Sequence, residues 1–62
     1  MIEQQIRLLE SEISRLRMEK DEREAALPAH TVRPHQIMAI EALEDEIALR
    51  EAQLAALMKT VA

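Results

Sequence analysis

A chain of 62 residues with no cysteine, no glycine and no Phe, Tyr or Trp has neither disulfides nor thiolate metal sites. It lacks the residue that tight φ > 0 turns demand, and it must build any core from Ile, Leu, Met, Val and Ala. At this size one hydrophobic core leaves a thin stability margin, so oligomerisation is the remaining support unless paired histidines hold a metal. The net charge of −4, from 8 Lys and Arg against 12 Asp and Glu, argues against nucleic acid and against an anionic membrane as partners.

From Ile2 to Leu27 the apolar residues keep an unbroken 3-4 spacing. Ile2, Leu9, Leu16 and Arg23 fall at heptad position d, and Ile6, Ile13, Lys20 and Leu27 at position a. This spacing predicts a helix over 2–27 with a coiled-coil-like seam. The seam turns basic at Lys20 and Arg23, inside the charged run Glu19-Lys20-Asp21-Glu22-Arg23-Glu24. That run reads as a solvated last turn with intrahelical pairs such as Glu19 with Arg23.

Pro28 and Pro34 bracket a turn over 28–33 that also holds His30 and Thr31. Two prolines six apart cannot share one continuous helix: Pro28 disfavours helical geometry at Leu27, and Pro34 suits a first helical turn. Thr31 is the N-cap candidate by chemistry and Arg33 by position. A connection this short sets the two helices antiparallel.

The second helix is expected over 34–61. Ile40, Ile47, Leu54 and Val61 take position a, and Leu43, Arg50 and Leu57 position d. A second stripe of Met38, Ala42, Leu49, Ala52 and Ala56 widens its apolar arc. An arc that wide touches two neighbours, as in a bundle, and the alanines permit close approach. In a hairpin turning near residue 31, position i faces roughly position 62 − i. Arg50 is then expected to meet Glu12, with Lys20 and Arg23 coming near Glu41 and Glu44.

Candidate chemistry is sparse. His30 and His35 flank the turn, and imidazole suits zinc, nickel or copper, but no third ligand stands at metal spacing. The phosphorelay hairpin of histidine-kinase dimerisation domains needs a histidine on its first helix, and none is present here. No Gly-rich phosphate loop and no nucleophile beside a base appears, so catalysis is not expected. Arg7, Arg15, Arg17, Lys20 and Arg23 scatter around the first helix among acids and form no basic stripe, and no aromatic is available for stacking on bases.

The segment Pro28-Ala29-His30-Thr31-Val32-Arg33-Pro34, followed by Ile40-Glu41-Ala42-Leu43-Glu44-Asp45-Glu46-Ile47, resembles short uncharacterised bacterial helical-hairpin proteins. In those, a Pro-Ala-His-Ser/Thr-Val-x-Pro turn links two Glu/Leu-rich helices. The resemblance implies a hairpin, implies no activity and assigns no functional residue. In length and layout alone the chain also resembles Rop, a short acidic hairpin that dimerises and binds paired RNA loops.

The expected architecture is therefore all-α: an antiparallel two-helix hairpin associating into a four-helix bundle. Its core draws on Ile6, Leu9, Ile13 and Leu16 of the first helix and Ile40, Leu43, Ile47, Leu54 and Leu57 of the second. The expected role is a non-enzymatic structural or protein-interaction module. A Rop-like RNA-binding regulator is the alternative, and a metal- or pH-sensing bundle acting through the loop histidines the second. The expected partner is a second copy, with a tetramer or another helical protein as alternatives. No cofactor is expected. With no apolar stretch of the roughly 20 residues a bilayer needs and no basic, apolar leader in view, a cytoplasmic location is expected.

Overall fold

A computed structural model describes residues 1–61. It consists of two helices, α1 (Ile2–Ala25) and α2 (Pro34–Val61), joined by residues 26–33. The chain is an all-α helical hairpin. Two ion pairs lace the helices together and fix their antiparallel register. Arg50 Nε donates to Glu12 Oε2 at 2.6 Å, and Arg17 Nη2 donates to Glu51 Oε2 at 3.1 Å. The Arg50 pair is the one expected from the heptad register. The pair between Arg17 and Glu51, both at position e, was not.

The end of α1 corrects the sequence expectation: the helix stops at Ala25, not Leu27. The cause lies one turn downstream. In a continuing α-helix the Glu24 carbonyl would accept from the N–H of residue 28, and Pro28 has none. The Leu27 N–H donates to Glu24 O instead, at 3.2 Å, while the Ala26 N–H keeps its bond to Glu22 O at 3.0 Å. This tighter last turn ends the helix at an Ala26 C-cap with φ −85° and ψ −5°. The hairpin thus turns without a single positive-φ residue among those described, as a glycine-free chain requires. Leu27, though outside the helix, stays partly buried at the end of the seam.

α2 begins at Pro34, as expected, and Arg33 takes the N-cap position. Thr31 is exposed and caps nothing, which decides between the two candidates. Gln36, the third helical residue, reaches back so that its Oε1 accepts from the Arg33 N–H at 3.0 Å. That is one half of a capping box, supplied by a glutamine the sequence reading did not single out. The Gln36 N–H in turn donates to Arg33 O at 3.0 Å.

The core runs along the seam as a single file. Ile13, Ile40 and Ile47 are the buried side chains; Ile6, Leu9, Leu16, Leu43, Leu54 and Leu57 are partly buried beside them. The molecule is a rod of 47 × 14 × 13 Å with a radius of gyration of 14.6 Å. A compact domain of this length would have about 10.6 Å. Its accessible surface is 4996 Å², about 900 Å² above the about 4,100 Å² expected of a compact monomer of its mass.

Candidate functional site

Two side-by-side helices cannot cover more than one stripe each, so the rest of an apolar arc remains wet. Leu8 (59% exposed) and Met18 on α1, and Met38 and Leu49 (57%) on α2, all lie open to solvent. Ala42, Ala52 and Ala56 of the second stripe are exposed with them. The turn residues Pro28, His30, Thr31 and Pro34 are exposed as well. The structure therefore separates the sequence candidates into a buried or half-buried seam and an open second stripe.

The seam has two flanks, and they differ in charge. On one, the e positions of both helices come together. Arg17, Glu44 and Glu51 line one groove and Glu10, Arg17 and Glu51 another. Glu3 and Glu24 occupy the remaining e positions of α1, with apolar residues only at the two ends of α2, Ile37 and Met58. On the other flank the g positions meet. Gln5, Gln53 and Thr60 border a groove floored by Leu9 and Leu57 near the open end of the hairpin. Ala26 and Ala39 border a second one, with Leu27 and His35, near the turn.

The g flank's three acids each hold a guanidinium of the same hairpin. Glu12 and Glu46 both accept from Arg50, and Glu19 accepts from Arg23 at 3.4 Å. The hydrogen bond to Glu12, then that to Glu46, holds the Arg50 guanidinium pKa above its ordinary value, against the smaller opposing effect of partial burial. Arg50 itself sits at a seam position, its side chain 27% exposed, as suits a residue whose aliphatic stem can follow an apolar surface while its head reaches the rim.

Of the basic residues near the turn, Arg23 makes the intrahelical pair with Glu19 that its charged run predicts, and Lys20 comes near Glu44 but pairs elsewhere. Lys20 borders the same groove as Glu44, as the register requires, but its ammonium goes to Glu24 at 3.4 Å. Arg23 goes to Glu19. Both choose the acid one turn away on their own helix over Glu41 or Glu44, because an i,i+4 pair needs no long side chain stretched across the rod. Among the described residues no three His, Asp or Glu side chains gather at metal-binding distance. Among the described residues no helix is long and apolar enough to cross a membrane.

No protein-family model, no curated protein and no solved structure gives a significant match to this chain. The function must therefore be argued from the molecule's own surface.

Proposed function

We propose that the chain is a non-enzymatic interaction module that works as a homodimer, two hairpins closing into a four-helix bundle that serves as an adaptor or assembly element. The observation that carries this reading is the mismatch between core and apolar surface. Among the described residues only Ile13, Ile40 and Ile47 are buried, while Leu8, Met18, Met38 and Leu49 stand in water. A single file of aliphatic side chains, without aromatics or disulfides, is a weak anchor for a folded chain of this length. Packing a second hairpin on the open stripe doubles the number of helices each α2 touches, as its wide arc requires. The grooves between the helices lie open to solvent, lined by charges on one flank and by small, polar and aliphatic residues on the other, so recognition by helix-on-helix contact suits them better than capture of a small molecule.

Sedimentation equilibrium combined with circular dichroism tests this. The expected result is dimer mass at micromolar concentration, with helicity lost as dilution dissociates the dimer, because folding and association are coupled. A fully helical monomer at low micromolar concentration would overturn the reading.

A further inference from the structure

We propose that the second copy docks on the g flank, with α2 lying against its symmetry mate in antiparallel orientation, so that the two turns sit at opposite ends of the bundle. This rests on the homodimer reading and adds the face and the direction.

The charge distribution selects the face. Docking on the e flank would desolvate the paired Arg17, Glu24 and Glu51 and also Glu3, Glu10 and Glu44, which have no ion-pair partner among the described residues, and a buried charge is costly unless it is paired and hydrogen-bonded. On the g flank the acids are Glu12, Glu19 and Glu46, and each already accepts from an arginine within its own hairpin. Covering them leaves no acid without a partner.

Shape points the same way. Around the helix, position c lies just beyond g, away from the seam. Along α2 these two columns hold His35, Ala39, Ala42, Glu46, Leu49, Gln53, Ala56 and Thr60, in which Glu46 is the single acid and three of the eight are alanine. Alanines let two backbones approach closely, and Leu49, 57% exposed at mid-helix, is the knob such a contact lacks a hole for in one hairpin. Position c of α1 adds Leu8, 59% exposed, to the same flank near the open end of the hairpin, with Arg15 and Glu22 following toward the turn. The surface excess of about 900 Å² over a compact monomer is of the size that a standard stable interface covers, about 800 Å² per partner.

Direction follows from symmetry. In a parallel pair every residue meets its own copy, so Glu46 would face Glu46 and His35 would face His35. Like charges across an interface are unfavourable. Turning one copy round pairs the column's two ends. Ala39 then faces Ala56 of the second copy, Ala42 faces Gln53, and Glu46 faces Leu49. Each contact occurs twice, and no charge meets its equal.

The chain has no cysteine, so a single introduced thiol reports cleanly. A spin label at His35→Cys, near the end of the column, should read about 38 Å across the dimer, the axial length of the 25 residues from 35 to 60 at about 1.5 Å each. A parallel dimer would bring the two labels within about 15 Å, since helices pack about 8–10 Å apart, and that result overturns the direction. For the face, Leu49→Lys should weaken dimerisation at least tenfold by sedimentation, while Ala55→Lys, on the e side of α2, should leave it within twofold. The reverse pattern overturns the face while leaving the homodimer reading intact. A wild-type chain that stays monomeric defeats that reading, and this proposal with it.

Discussion

Arg50 occupies a d position between Ile47 and Leu54, where an aliphatic side chain would ordinarily stand. An arginine tolerates the site because its stem can pack along the seam while its planar head reaches two carboxylates at the rim. The bond to Glu12 spans the two helices and the bond to Glu46 spans one turn, so the residue ties register to helix. Slipping α1 past α2 by one turn would leave the guanidinium half-buried without its cross-helix acid, and this makes Arg50 a register device more than a source of stability. A double-mutant cycle with Arg50→Met and Glu12→Gln is expected to show clear non-additivity in urea unfolding. The sign of the pH effect follows from the raised guanidinium pKa. A cation raised on folding contributes stability that is present below its unfolded pKa and lost only as pH climbs through the folded one. The coupling should therefore be the same at about pH 7 and about pH 9. Additive single effects would show that the pair is screened by solvent and does not set the register, and coupling that fades across that interval would show that it does not rest on the guanidinium's charge.

The two helices end by different means, and those ends are where sequence and structure part company. α2 starts where its proline puts it, with Gln36 closing back on the Arg33 N–H. Gln36→Ala removes that bond and is expected to cost about 0.5–1 kcal/mol, a fall of several degrees in melting temperature. Gln36→Glu should retain most of it, since a carboxylate accepts the same bond and suits a helix N-terminus. Equal melting temperatures for wild type and Gln36→Ala would show the cap contributes nothing. Both helices, their antiparallel sense and the Arg50–Glu12 pair are legible in the sequence because each follows from periodicity: 3-4 spacing names the seam, and the seam names the register. The end of α1 is not legible in the same way. The heptad continues through Leu27, and only hydrogen-bond accounting at Glu24 reveals that Pro28 acts two residues earlier. Lys20 pairs with Glu24 and Arg23 with Glu19, the latter pair itself legible in the charged run, while heptad register predicts only proximity across the seam. It does not weigh that proximity against an acid one turn away on the same helix. The open stripe, too, is readable as a list of residues, but the contrast between its two flanks emerges only once α1 and α2 bring their e positions to one side and their g positions to the other.

At the scale of the whole molecule the rod has two distant ends, and its histidines sit at one of them. His30 is exposed in the turn, and His35 borders the groove that holds Arg23, Leu27 and Ala39. A structural zinc site takes about four ligands and a catalytic one about three plus an open position. One hairpin offers two histidines on either side of Pro34, beside a guanidinium that disfavours a cation. A dimer could assemble four only with both turns at the same end. In the antiparallel bundle the two copies of His35 lie about 38 Å apart, with the His30 residues beyond them, and the two pairs cannot cooperate. Zinc and nickel are therefore expected to bind no more tightly than about ten micromolar in calorimetric titration, a level two imidazoles without a third ligand can reach. Sedimentation should show no change in oligomeric state on adding metal. The titration also cross-examines the dimer geometry. Submicromolar binding at one metal per dimer, abolished by His30→Ala, would require the two turns to meet. It would defeat the antiparallel arrangement, and the bundle would then be better read as a metal sensor.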